Sequence, residues 1–310
     1  MAVALPLLGG ILIVLLALDV FVTIFHAQGQ GGPLTRRWCR LVWSATRAGG
    51  QRADGSKRQG VLALGGPALV VSTLLLWVLL LVVAYTLVYY PWIHTFLVSP
   101  GALRTGWLEA LYYSGYTAAT LGLGDVVADP EALRLVTVLE AFGGFALLSV
   151  STSYFLAVYR ELVAMQSLAS DISSLFSEDE EQVVQFTREE GYEALARWSE
   201  RLSSDLSRVL VAHHQYPVLH YFRPREEARA LPVQLGALLR LRSLVATEHG
   251  SSALTVLSRH PSYLALMNTL DMYLAAVDRF FVPGRVQDGS TGSEKTEKAH
   301  ARLLDYMSYS

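Results

Sequence analysis

Thr120-Leu121-Gly122-Leu123-Gly124-Asp125 is the stretch whose residue types and spacing could do chemistry. Glycines at alternate positions can both take positive φ, which other residues resist. A chain alternating in this way can turn successive carbonyl oxygens toward one axis, where they replace the water around a dehydrated cation. A Gly-x-Gly-Asp string alone also occurs in ordinary turns, so the flanking elements decide between the two readings.

The flanks must therefore be read as elements. Residues 59–103 contain no Asp, Glu, Lys or Arg, and Pro67 to Tyr90 lies within them. That apolar run exceeds the roughly 20 residues that cross a bilayer. After the glycines, Asp129-Pro130-Glu131 has the form of a helix start. Asp serves as N-cap, Pro stands at the first helical position, and the acid of the first turn faces the helix dipole. Ala132 to Tyr159 then gives a second span. The order is spanning helix, short re-entrant helix, extended glycine loop, spanning helix.

This order and these residues resemble the pore-loop potassium channels, whose common filter reads TVGYGD. The resemblance covers residues 61–160, with Leu121 at the family's Val position and Leu123 at its Tyr position. It implies potassium sites at the carbonyls of Thr120, Leu121, Gly122 and Leu123, with the Thr120 hydroxyl below and Gly124 at the outer mouth. It implies that a helix over 105–117 is the pore helix, with Tyr112 and Tyr113 wedging the filter in place. Tyr116 or Tyr113 is then expected to hydrogen-bond Asp125. Gly143-Gly144 stands where such channels place a gating hinge, although small residues also let membrane helices pack closely. One chain supplies one glycine loop and no internal repeat, so a closed ring of carbonyls requires a homotetramer. No cofactor is implied beyond potassium ions in the filter. Leu123 lacks the hydroxyl with which Tyr anchors the filter, which keeps a weakly selective cation channel in view. A non-conducting membrane-anchored sensor or scaffold is the reading from another class.

Composition agrees with a membrane protein that has a polar half: 52% of residues are hydrophobic and 17% charged. A net charge of -2 argues against nucleic-acid binding. The one cysteine, Cys39, forms no intrachain disulfide or thiolate cluster. No Gly-x-Ser-x-Gly, phosphate-binding loop or paired-histidine zinc motif is present, and the chain is read as no enzyme. Only three of the 25 basic residues are lysine, a bias of GC-rich bacterial genomes that suggests a bacterial inner membrane.

Leu5 to Ala27 forms a third span. It has no basic n-region and is longer than the about 7 to 15 apolar residues of a cleaved signal. Asp19 is its one formal charge, a sensing group or a polar contact with Thr23 or the following basic loop. That loop, Gln28 to Gln59, carries Arg36, Arg37, Arg40, Arg47, Arg52, Lys57 and Arg58 against Asp54. Basic loops stay inside, which puts the N-terminus outside and everything after Tyr159 in the cytoplasm. Leu34, Trp38, Leu41, Val42 and Ala45 mark an amphipathic helix on the inner membrane face.

The domain reading follows: a spanning helix over 1–27, a basic loop over 28–60, the pore domain over 61–160, a cytoplasmic α-helical domain over 161–284 and a polar tail over 285–310. Leu162, Met165, Ala169, Ile172 and Phe176 continue the inner helix with spacing suited to a short four-stranded bundle. Ser177-Glu178-Asp179-Glu180 reads as a capping box, with a divalent-cation cluster as the alternative. Helices over 178–282 break at Gln215-Tyr216-Pro217, Arg223-Pro224 and Gly250-Ser251-Ser252. His213, His214 and His220 read as packing or surface residues. Gln287 to Lys298 is polar, with a short helix from Lys298 to Met307. No strand-glycine-helix fingerprint identifies a regulatory nucleotide, and no regulatory ligand is named. The fold class expected is an all-α membrane protein: a tetrameric potassium-channel-like pore, an N-terminal spanning helix and a cytoplasmic α-helical domain, in a lipid bilayer.

Overall fold

A computed structural model describes residues 3–25, 31–52, 56–99, 106–175, 191–224, 226, 230–247, 252–281 and 293–308. Phe176, the 177–180 capping sequence and the 287–292 stretch of the tail lie outside the described residues. The chain divides into two compact units, Met1–Val42 with Ala68–Ala157 and Trp43–Pro67 with Val158–Ser310.

In the first unit, α1 (Ala4–Phe25) and α4 (Gly65–Tyr89) are apolar on every side, and α6 (Glu131–Leu175) carries an apolar stretch of similar length. These are the three helices long and apolar enough to cross a membrane among the described residues. Helices apolar all round have no solvent face, and Leu7, Ile11, Leu75 and Leu79 point outward accordingly. At Gly9, α1 touches α4 so closely that an added Cβ would lie 2.5 Å from the Ala84 carbonyl oxygen. Glycine permits this approach of two backbones.

Pro91 ends α4, since it cannot donate the next helical hydrogen bond, and the chain continues as a 3-10 turn over Tyr90–Thr95. Strand β1 (Leu97–Val98) follows, then α5 (Gly106–Ala118) and β2 (Val126–Val127). The strands pair antiparallel, Leu97 opposite Val127 and Val98 opposite Val126. The Ser99 amide donates to the Asp125 carbonyl at 2.8 Å, so the excursion through α5 is closed at its base. Its core joins Trp77, Leu81 and Tyr89 of α4, Ala110 and Tyr113 of α5, and Leu133 and Leu147 of α6.

The basic loop contains α2 (Pro33–Gln51) and α3 (Ser56–Ala63). α2 packs through Thr35 and Trp43 and turns apolar residues of the expected membrane-facing stripe outward. Leu34 and Leu41 are exposed, whereas Thr35 and Trp43 are buried. Polar anchors decide this: within the first unit Trp38 Nε1 donates to Ser72 Oγ at 3.1 Å, and Cys39 Sγ lies 4.0 Å from Thr73 Oγ1. Burial pushes the Cys39 thiol up from its ordinary value.

The second unit is helical throughout its described residues. It comprises α7 (Tyr192–Gln215), a 3-10 turn over Pro217–Tyr221, α8 (Leu231–Thr247), α9 (Ser252–Arg259), α10 (Pro261–Phe281) and α11 (Ser293–Ser308). Leu195, Leu202 and Leu206 of α7 and Leu235, Leu238 and Leu241 of α8 repeat at helical spacing and meet in one core with Leu266 and Leu270 of α10. The end of α6 joins that core through Leu168, Ala169 and Ile172. This corrects the four-stranded bundle: the stripe is covered by its own chain. A 3,4 spacing describes any core-facing helix, and two heptads do not separate the two uses. α11 begins at Ser293, earlier than Lys298, because its first turns are held by Thr296 on Asp271 at 2.8 Å and by the Lys298–Glu294 pair.

Trp43 anchors the basic loop within the second unit, 5.1 Å from the Tyr221 ring and under the Arg223 guanidinium at 5.2 Å. Trp43 and Phe222 press on the foot of α4, where a Cβ at Gly65 would lie 2.6 Å from Trp43 and one at Gly66 2.6 Å from Phe222. His213 is buried, with its Nδ1 at 3.0 Å from the Val209 carbonyl and its ring edge-on to Tyr273. It is a packing residue.

Candidate functional site

The glycine stretch leaves α5 through three tightening hydrogen bonds: Ala119 N to Gly115 O at 3.1 Å, Thr120 N to Thr117 O at 2.9 Å and Leu121 N to Tyr116 O at 2.9 Å. The backbone then alternates in hand. Thr120, Gly122 and Gly124 have φ of 57°, 58° and 76°, while Leu121 and Leu123 between them stay out of the left-handed region. The glycines were legible as sites of positive φ, but Thr120 was not. A β-branched residue in this conformation costs on the order of 1–2 kcal/mol, and strain of this kind concentrates at functional sites. Leu121 and Leu123 are 64% and 55% exposed. A Cβ on Gly122 would meet nothing, so conformation rather than space reserves that position for glycine.

The three tyrosines of α5 divide their work differently from expectation. Tyr112 donates to Asp125 Oδ2 at 2.9 Å. Tyr113 is turned toward α4 and α6, packed edge-on to Tyr89 and Phe96 at 5.0 and 4.9 Å, and bonds Thr137 Oγ1 at 2.6 Å. Since the Thr137 hydroxyl donates to Leu133 O, the Tyr113 phenol is the donor. Tyr116 donates to the Val126 carbonyl. The partner of Asp125 is therefore Tyr112, not Tyr113 or Tyr116. Positions 112 and 116 lie one helical turn apart on the side facing the returning chain, and 113 is rotated away from it. Tyr112, Tyr116 and Asp125 thus gather around the C-terminal end of the glycine stretch.

Gly144 is a contact residue of α6: a Cβ there would lie 2.0 Å from the Ala118 carbonyl oxygen of α5. Around Gly143 the space is open. Asp19 belongs to a separate cluster. Its Oδ1 accepts the Leu34 amide at 2.8 Å, and its Oδ2 accepts the Thr35 amide at 3.2 Å and the Thr35 hydroxyl at 2.5 Å. The Trp77 indole N–H reaches Thr35 Oγ1 at 3.1 Å and Asp19 Oδ2 at 3.4 Å. Asp19 caps the N-terminus of α2 from the preceding helix, where amides and dipole favour an anion. Thr23 takes the Gly32 amide instead, at 2.8 Å.

Two carboxylates of this region escaped the sequence reading. Glu109, in the first turn of α5, and Glu140, on α6, are both buried. Ser114 Oγ lies 2.5 Å from Glu140 Oε1 and 2.9 Å from the Val82 carbonyl of α4. The signal was available as two acids inside apolar stretches, each a functional candidate by position. Among the described residues no group of three or more His, Cys, Asp or Glu could hold a metal ion.

Residues 73–161 match the family described as ion channel. This segment contains α5, the glycine stretch and the apolar part of α6, and the chain is an all-α, multi-spanning membrane protein with an ion-channel-type segment. It is similar to the uncharacterized membrane protein YdjJ of Bacillus subtilis (strain 168), 24% identical over 154 residues. The alignment covers 50% of this chain and 45% of the relative, so the chain spans about half the length of the curated relative it matches. No solved structure matches the chain.

Proposed function

We propose that four copies of this chain form a potassium-selective cation channel whose filter is Thr120, Leu121, Gly122, Leu123 and Gly124. The observation that carries this reading is the alternation of left-handed residues at 120, 122 and 124, between a short helix and a long apolar one. A chain alternating in hand directs successive carbonyls to one side, and four such chains around an axis supply rings of oxygens in place of a hydration shell. The C-terminal end of α5 leads straight into the stretch, where its partial negative charge favours a cation. In this arrangement α4 is the outer helix and α6 the inner one, with Gly143 as the hinge. The N-terminus lies outside, the second unit lies in the cytoplasm, and the membrane is a bacterial inner membrane.

Reversal potentials of the purified protein in planar bilayers, under unequal potassium and sodium, test the proposal. A shift toward the potassium equilibrium potential is expected; absence of current would leave the membrane-anchored scaffold as the reading. Leu123 favours a second outcome, a weakly selective cation pore, because its exposed side chain offers no hydroxyl to tie the stretch laterally. Sodium permeability close to that of potassium would decide for it.

A further inference from the structure

Glu140 sits where an isolated charge is costly: at 0% exposure, on a helix apolar enough to span a membrane. The groups that face it are phenols, Tyr85 and Tyr89 from α4 and Tyr113 and Tyr116 from α5, and among the described residues no Lys, Arg or His stands with them. Tyr89 lies beside the carboxyl without closing a well-formed hydrogen bond, and Glu140 Oε2 closes none with any other described residue.

The protons around Ser114 can be counted. A carbonyl has no proton to give, so the 2.9 Å contact between Ser114 Oγ and Val82 O uses the single hydroxyl proton of Ser114. That carbonyl also takes the Thr86 hydroxyl at 2.7 Å, which brings no proton free for Ser114. Both Ser114 contacts are hydrogen bonds at once only when the carboxyl supplies a proton of its own for the 2.5 Å contact between Ser114 Oγ and Glu140 Oε1. With Glu140 neutral, its O–H donates to Ser114 and Ser114 donates to Val82, joining α6, α5 and α4. Ionised, Glu140 competes with Val82 for one proton and one of the two bonds opens.

These contacts repeat one turn further on. Ser114 and Ala118 are four apart on α5, Glu140 and Gly144 are four apart on α6, and Gly144 touches the Ala118 carbonyl. Thr120 follows Ala118 by two residues, so whatever seats α5 on α6 also sets where the glycine stretch begins. We infer that Glu140, carrying its proton, is a positioning residue that locks α5 between α4 and α6 and so fixes the start of that stretch. The inference rests on the channel reading for its conduction readout only.

The test uses the full chain in lipid, as wild type, Glu140→Gln and Ser114→Ala. Infrared spectra at neutral pH should show a protonated-carboxyl band in the wild type that Glu140→Gln removes and Ser114→Ala shifts in frequency. Potassium flux should fall in the wild type as pH is raised from about 5 to about 9, by up to about tenfold per pH unit once the proton is leaving. Glu140→Gln, whose amide can donate to Ser114 at every pH, should hold its low-pH flux throughout. A wild-type spectrum without that band overturns the inference. So does a Glu140→Gln variant that keeps the wild-type pH profile. If the wild type passes no potassium at all, the channel reading falls and the infrared result alone decides on Glu140; if Glu140→Gln does not fold, the band and its shift in Ser114→Ala decide.

Discussion

At Gly122 space and conformation separate cleanly, because a methyl group would meet no neighbour while φ stands at 58°. Gly122→Ala therefore tests backbone hand alone. It should preserve expression and thermal stability yet abolish potassium flux in reconstituted vesicles, since about 1–2 kcal/mol in each copy of the proposed tetramer opposes the alternating backbone. Wild-type flux in that variant would count against carbonyl rings. Asp19 gives the opposite kind of residue, one whose loss should be structural. Asp19→Ala strips the cap from α2 and leaves the Leu34 and Thr35 amides without their acceptor, a loss of about 1–3 kcal/mol. A lower melting temperature in detergent should register it, with Asn at 19 recovering part through its amide oxygen. What sequence withheld at this scale was phase. Three tyrosines at 112, 113 and 116 were all visible, but which one reaches Asp125 depends on the rotation of a 13-residue helix about its axis, which its neighbours set.

Elements were more legible than their contacts. Pro67 to Tyr90 and the Asp129-Pro130-Glu131 sequence announced α4 and α6 because apolar length and helix-start chemistry are local properties, and the break at Pro217 fell where backbone chemistry requires it. The expected cap differs in detail, since the Asp129 carboxylate takes Arg134 at 3.2 Å and the Pro130 carbonyl accepts the first helical amides, while the Gly250-Ser251 break lies outside the described residues. The two short strands were not legible, since two residues carry no periodicity. Nor was the choice between hinge and contact at Gly143-Gly144, which depends on Ala118 at the end of another helix. The structure makes the pair testable. Gly144→Val forces a side chain against the Ala118 carbonyl and should cost on the order of 1–3 kcal/mol by overpacking, read as a fall in melting temperature together with lost flux. Gly143→Ala meets open space and should leave melting unchanged, so any effect on channel opening there belongs to helix bending. Equal loss of stability in both variants would contradict this division.

For the whole molecule, acidity should separate the two units. Burial, reinforced by the neighbouring His214, holds His213 down at about 4, against an ordinary value of about 6.5, and His220 is shifted the same way by burial. In that interval the unfolded chain binds the proton and the folded one does not, so stability is full above about pH 6.5 and drains away as pH falls toward 4. Each such histidine contributes a slope of up to about 1.4 kcal/mol per pH unit. Melting of the second unit should therefore drop between pH 7 and pH 5, and His213→Asn should flatten the curve; a curve unchanged by that substitution would mean the histidine titrates normally. Sequence could mark His213 as a packing or surface residue but not its shift, which comes from burial edge-on against Tyr273. The lone cysteine has a last, practical consequence. Cys39 touches Thr73 Oγ1 at 4.0 Å, a contact a serine can inherit, so Cys39→Ser should yield a thiol-free chain with native melting. Against that blank background, a paramagnetic or fluorescent tag attached at one engineered sulfhydryl would appear once per subunit. Pairwise spectroscopic rulers could then count the copies around an axis and follow their movement in lipid.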